Sequence, residues 1–208
     1  MRRRGLVYLT IACRSTIISL KGGEEMAAER QTLSHGFGPY INQDSRILIL
    51  GSFPSVKSRE AAFFYGHPRN RFWAVLAALF GEDAPGDLTE KKAFLSRHRI
   101  ALYDVIESCS IVGSSDTSIR NVVPADLKPI LSGSKIEGRI FTNGRKASEL
   151  YARYIEKDLG LPSVPLPSTS PANAACSLQT LIESWSHAIV PVLAEDSAER
   201  EKNGAKKA

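Results

Sequence analysis

Short, nearly unbroken apolar runs alternate along the chain with segments whose apolar residues recur every three or four positions. Ile47-Leu48-Ile49-Leu50 is the first such run and reads as a strand buried on both faces. Phe72, Val75, Leu76 and Leu79 then follow at helical spacing, which predicts a helix starting near Asn70 or Arg71. Ile100–Ile106 reads as a second strand, and Pro124–Leu131 as a short helix with Pro at its start. Arg139–Thr142 reads as a third strand, ended by Asn143-Gly144, and Arg145–Lys157 as a helix. Val164-Pro165-Leu166 is a short fourth strand whose flanking prolines suit an edge or a strand end. Leu178, Leu181, Ile182, Trp185 and Ile189 form the apolar stripe of a last helix. This alternation predicts an α/β fold, a three-layer α/β/α sandwich around a central, mostly parallel four-stranded sheet. Sites in such sheets gather at the carboxyl ends of the strands. Ser52, Asp104, Asn143 and Ser168 all fall there.

At 208 residues and 43% hydrophobic, the chain is one domain with tails, large enough for a core without staples. The pattern divides it into an N-terminal extension over 1–35, a domain over 36–193 and a charged, disordered tail over 194–208. Residues 1–25 mimic a signal peptide, but Arg14 interrupts the apolar run and Met26 looks like an ordinary start. They are read as an extended or misassigned, dispensable N-terminus, with an exported or organelle-targeted form as the alternative. No stretch approaches the length of a membrane span. The formal charge of +5 favours a polyanionic partner without proving one, and much of it sits in the two tails. Three widely spaced Cys with no CxxC argue for a reducing, cytoplasmic setting and against a four-Cys cluster. The four His lie at no metal-binding spacing, so neither a metal nor a cofactor is expected.

Two segments change the picture from fold to chemistry. Residues 64–73 read Phe-Tyr-Gly-His-Pro-Arg-Asn-Arg-Phe-Trp, closely after a strand that ends in Gly51-Ser52-Phe53-Pro54-Ser55. Aromatic faces suit a flat ring, an amide can read a ring edge or orient a water, and guanidinium groups suit phosphate. The mixture points to a nucleobase still attached to its backbone. Downstream, Leu166-Pro167-Ser168-Thr169-Ser170-Pro171-Ala172-Asn173 is a loop of small hydroxyl residues before a helix. Free backbone N–H groups in such a loop could grip a phosphate. GxxxxGK[ST], GxSxG and GxGxxG are all absent, which removes the fingerprints of a P-loop, a serine hydrolase and a dinucleotide fold.

The ordered set of segments resembles the uracil-DNA glycosylase superfamily. Gly51-Ser52-Phe53-Pro54 is similar to its first motif and Ser170-Pro171 to its second. His67-Pro68-Arg69-Asn70-Arg71-Phe72-Trp73 looks like the matching segment of mismatch-specific uracil glycosylases. With Tyr103-Asp104-Val105-Ile106 and Phe141-Thr142-Asn143-Gly144, the resemblance is nearest to the hypoxanthine-DNA glycosylase branch, over about residues 36–193. It implies a cytoplasmic, monomeric, cofactor-free hydrolase of the N-glycosidic bond. Its partner would be double-stranded DNA carrying deaminated bases, hypoxanthine first. A uracil or mismatch enzyme, an enzyme of free nucleosides and a catalytically silent DNA-binding module are the alternatives.

The resemblance also distributes roles. Its better-known branches carry Asp or Asn at the third position of the first motif to orient water, where this chain has Phe53, so the role must be relocated or lost. Asn70 is the candidate for it, with Ser52 the second catalytic candidate; the bland reading of Asn70 is a helix N-cap. Phe53, Phe64, Tyr65, Asp104, Asn143 and Ser168 are candidates for the base pocket. On residue type alone Phe64 and Tyr65 would more often be core, but the adjacent Gly66-His67-Pro68 reads as a loop and favours one of them as the stacking face. Asp104 could read a purine N–H, orient a side chain or cap a loop. Pro54, Ser55, His67, Arg69, Arg71, Thr169, Ser170, Pro171 and Asn173 are assigned to flanking phosphates or to the wedge that fills the gap left by a flipped base. The alternative for His67 is a structural loop histidine, and for Arg69 and Arg71 a solvated face.

Overall fold

The computed structural model describes residues 30–112 and 116–205. In chain order the elements are β1 (Arg30–Ser34), β2 (Ile47–Gly51), α1 (Val56–Glu60), α2 (Phe72–Phe80), α3 (Leu88–Arg97), β3 (Ile100–Asp104) and β4 (Ile106–Val112). A 3-10 turn precedes β5 (Arg120–Pro124), α4 (Lys128–Ser132), β6 (Ile140–Asn143), α5 (Arg145–Tyr154), α6 (Glu156–Leu159), β7 (Ser163–Leu166) and α7 (Leu178–Ala205). The expected parallel sheet is present, with strand order β3-β2-β6-β7 and helices flanking it.

β2 lies between β3 and β6, and all five of its residues are buried, as an apolar run covered on both faces requires. Burying each such Ile or Leu contributes about 1.5–3 kcal/mol. β7 is the edge, and it accommodates Pro165 opposite Thr142 because one side of an edge strand needs no N–H donor. The chain leaves β2 toward β3 on one side and enters β6 on the other, so the strand order reverses beside β2. A crevice opens there at the carboxyl ends of the strands. Gly51 pairs in register with Asp104, and Asn143 with Leu166, so four chain segments reach the same edge together. α2 packs on α7, where Phe72 meets Trp185 edge to face at 5.8 Å.

Several expectations are corrected. Ile100–Ile106 is not one strand: it breaks at Val105, and β4 turns into a second, antiparallel sheet of order β1-β4-β5. β1 belongs to the polar segment Arg-Gln-Thr-Leu-Ser, which shows no buried face in sequence. The boundary at residue 36 therefore falls too late, because β1 pairs with β4 along its whole length and His35 is fully buried. Pro124 ends β5 instead of opening a helix, and the helix begins at Lys128 with Pro129 in its first turn. The helix expected to run to Lys157 breaks at Ile155 between α5 and α6. Residues 194–205, read as a disordered tail, continue α7. The extension over 1–25 lies outside the described residues.

Candidate active site

A cavity of about 140 Å³ opens at the carboxyl edge of the parallel sheet. Its walls are Ser52, Phe53, Pro54, Ser55, Ser58, Phe64, Tyr65, Asn70, Asp104, Ile111, Asn143, Ser168, Thr169 and Ser170. Of the sequence candidates, the catalytic pair, the six base-pocket residues and Pro54, Ser55, Thr169 and Ser170 all converge here. His67, Arg69, Arg71, Pro171 and Asn173 stand outside this wall.

The first motif is held from behind. Ser55 caps α1 by accepting from Ser58 N at 3.2 Å, and Ser58 Oγ accepts from Gly66 N at 3.1 Å. Ser58 thus ties the aromatic loop to α1. Sequence reasoning missed it, although its place three residues after a Ser cap was a usable signal. Arg59 donates to the carbonyl of Pro54 at 2.6 Å and lies over the ring of Phe53 at 5.6 Å. Phe53 and Phe64 are buried yet face the cavity, so the choice between core and base contact does not divide them. Tyr65 sits at φ +53° with its ring stacked on Phe72, centroids 3.6 Å apart. Its hydroxyl is buried without a hydrogen bond, and its acidity is suppressed first by burial and then by the charge of Asp104, with Asn143 opposing.

Asn70 both braces the start of α2 and lines the cavity. Its Oδ1 accepts from Phe72 N at 3.0 Å, an Asx turn at the start of α2, and the same side chain lines the cavity. A carbonyl oxygen carries a second lone pair, so capping does not exhaust it. The residue at the N-cap position is Arg71, whose side chain makes no cap bond.

Arg71 has a different partner from the one its type suggested. Its guanidinium donates to the carbonyls of Cys176, of Ser170 at 3.1 Å and of Asn173 at 2.9 Å, while its backbone N–H donates to Thr169 O at 3.1 Å. The fork is directed at the main chain of the downstream loop. That loop is also gripped by Asn143, whose amide meets both Thr169 N and Thr169 Oγ1. Asn173 Nδ2 donates to Ser168 O at 2.9 Å, and Trp185 Nε1 to Pro167 O at 3.0 Å.

The loop's own N–H groups, expected to be free for a phosphate, are engaged. Ser170 N donates to Ser168 Oγ, Ala172 N to Ser170 Oγ and Asn173 N to Ser170 O. Gly144, at φ +100°, permits the close approach: a Cβ there would stand 2.9 Å from the Cβ of Ser168.

Asp104 ends β3 and is buried. Its Oδ2 accepts from Nε2 of His35 at 2.8 Å. The carboxylate lies over the bare Cα of Gly51, where a Cβ would be 2.1 Å from Oδ1. His35 and Ile111 are contributions of the antiparallel sheet that the sequence did not disclose. Ile111 adds an apolar wall.

Outside the cavity, His67 Nδ1 accepts from Arg69 N at 3.1 Å, Arg69 is exposed, and Pro171 and Asn173 are half-buried. A second, open groove shares Asn143, Ser168 and Ser170 with the cavity and continues past Arg145, Lys146, Ala172 and Asn173. Among the described residues no group of three or more His, Cys, Asp or Glu is placed to hold a metal, and no helix is long and apolar enough to cross a membrane.

Comparison with known proteins follows this geometry. A family model described as the uracil DNA glycosylase superfamily matches residues 39–187. The chain is similar to a protein of Methanosarcina barkeri named hypoxanthine DNA glycosylase, 32% identical over 160 residues, covering 74% of this chain and 96% of the relative. A protein of the same name from Methanosarcina acetivorans is 34% identical over 142 residues, covering 68% of this chain and 89% of the relative. The fold is similar to a solution NMR structure of a Methanosarcina acetivorans protein described as a candidate uracil DNA glycosylase. The TM-score is 0.64 at 32% identity, over 78% of this chain and 99% of that one.

Proposed function

The chain belongs to the uracil DNA glycosylase superfamily, and on that premise we propose that it hydrolyses the N-glycosidic bond of a deaminated base in double-stranded DNA, hypoxanthine before others. Water adds to the sugar C1′, the C1′–N bond breaks, its electron pair leaves with the base, and an abasic site remains. The observation that carries this reading is the convergence of residues 52–55, 64, 65, 70, 104, 143 and 168–170 on one cavity at the sheet edge. Relatives named hypoxanthine DNA glycosylase favour the oxopurine.

In this reading the flipped base enters the cavity between the rings of Phe53 and Phe64, and Asn70 orients the attacking water through the free lone pair of Oδ1. That relocates the role which Phe53, having no polar atom, cannot fill in the first motif. Ser52 assists at the end of β2. The duplex runs along the open groove, where Arg145 and Lys146 offer charge to its phosphates, and Arg69 and His67, in the loop before Asn70, are further candidates for phosphate contact. Asn173, two residues after Pro171, is the candidate for a wedge into the duplex. The protein acts as a cytoplasmic monomer without a cofactor.

The test is a panel of duplexes carrying deoxyinosine, deoxyuridine, deoxyxanthosine or a thymine mismatch, scored for alkali-labile abasic sites. Deoxyinosine should be cut most. A silent DNA-binding module of the same fold would retain the lesion duplex and leave no abasic site.

A further inference from the structure

The buried pair His35–Asp104 joins two sheets at the base cavity, and only one end of it was legible in the sequence. Asp104 lines the cavity at the last position of β3, while His35 follows the last residue of β1. His35 is held there by its own backbone N–H, which donates to Glu107 O at 2.7 Å. Rings pack around its imidazole: Phe37 at 4.5 Å, Tyr103 at 4.8 Å, Phe64 at 6.0 Å and Phe53 at 6.3 Å between centroids. Nδ1 of this imidazole is buried without a hydrogen-bond partner among the described residues. Its Nε2 meets Oδ2 of Asp104 at 2.8 Å, and a carboxylate only accepts, so the proton sits on Nε2. Oδ1 accepts no hydrogen bond among the described residues and rests over Gly51.

We propose that His35 is a positioning residue that fixes Asp104 so that its second oxygen presents an acceptor to the ring N–H of the flipped base. This rests on the glycosylase reading above. Hypoxanthine carries a hydrogen on N1, which a fixed carboxylate accepts. Adenine carries a lone pair on N1, which the same carboxylate repels. A carboxylate free to rotate or to take up a proton would lose that distinction; one oxygen tethered to a buried imidazole cannot do so without breaking a charge-assisted bond. The discrimination between a damaged purine and its parent therefore depends on a residue that never touches the base.

The test compares single-turnover base release from duplexes containing deoxyinosine or deoxynebularine, whose purine lacks both O6 and the N1 hydrogen. It uses the full chain and its His35→Leu and His35→Gln forms. His35→Leu fills the site without a donor; His35→Gln restores an N–H at similar reach. His35→Leu should slow hypoxanthine release about 10–100-fold, the range for losing a hydrogen bond to a charged group, and change purine release less than about threefold on the same scale. His35→Gln should recover most of the hypoxanthine rate.

Equal losses on both substrates, or no recovery with Gln, would make His35 a packing residue and overturn the proposal. So would a native protein that releases both purines alike. A native protein that releases no hypoxanthine at all would instead sink the glycosylase reading, and this inference with it.

Discussion

Asn143 grips Thr169 at both of its polar groups: Oδ1 accepts from Thr169 N at 3.0 Å, and Nδ2 donates to Thr169 Oγ1 at 2.9 Å. Thr169 is fully buried, so this pair fixes the position of the downstream loop against the end of β6. Asn143→Ala leaves two buried groups of Thr169 unsatisfied and should cost about 1–3 kcal/mol in stability. Asn143→Asp should cost much less, because the carboxylate still accepts from the N–H and the threonine hydroxyl can turn to donate. Chemical denaturation of both variants checks the order.

Arg71→Ala should slow base release and lower stability by about 2–3 kcal/mol, since charge-assisted bonds to three carbonyls disappear together. The slope of log affinity against log salt should stay that of the native protein, as no phosphate contact is lost. A slope shallower by about one would return Arg71 to the DNA interface. Arg71→Lys should resemble the Ala form, because an ammonium cannot reproduce the planar fork.

Asn70→Ala should lower single-turnover base release by on the order of 10²–10⁴, the range of a positioned acid–base or water-orienting group. It also removes the bond to Phe72 N, worth about 1 kcal/mol as a cap. Asn70→Ser keeps a capping oxygen but withdraws the amide from the cavity. Stability that recovers in Ser while activity stays low separates the two functions of the residue; recovery of both would reduce Asn70 to a cap.

Gly51→Ala should disrupt the site more than the fold. The added methyl would lie 2.1 Å from Oδ1 of Asp104, so the carboxylate must move and its bond to His35 must stretch or break. Activity on deoxyinosine should fall at least as far as in His35→Leu. A crystal structure of the variant with that bond intact would contradict the expectation.

A chain starting at Arg30 should melt with the full chain and cut deoxyinosine at the same rate, while one starting at Phe37 should lose both properties. The second lacks β1 and His35. Equal melting temperatures for the two would show that β1 adds nothing to the fold.

The parallel sheet was legible because its strands are buried on both faces and so read as plain apolar runs, as in Ile47–Leu50. The cavity wall was legible where polar or aromatic residues follow such runs at once: Ser52 after β2, Asp104 ending β3, Asn143 ending β6. β1 carried no comparable signal. Four of its five side chains are polar or charged, on both faces, and four of the five are exposed, so its sequence resembles a linker. β4 was missed and Ile106 read as the end of the preceding strand, because the break at Val105 has no Gly or Pro to mark it. His35 and Ile111 were hidden with those two strands. The partners of Arg71 were hidden for another reason: residue type announces a guanidinium, but only tertiary contact shows the main-chain carbonyls it meets.

The contact from Arg71 to Cys176 spans 105 residues, and that from His35 to Asp104 spans 69. Contacts so distant along the chain form late, since a long loop must close before any of them rewards the closure. During synthesis Asn70 leaves the ribosome well before the residues that brace its neighbour. A nascent chain that has released Asn70 but not the residues 168–176 still lacks the loop that walls the cavity opposite it. The cavity wall is complete only once residues 143 and 168–170 have been made, so a chain stopped before them has half a pocket and should cut no DNA.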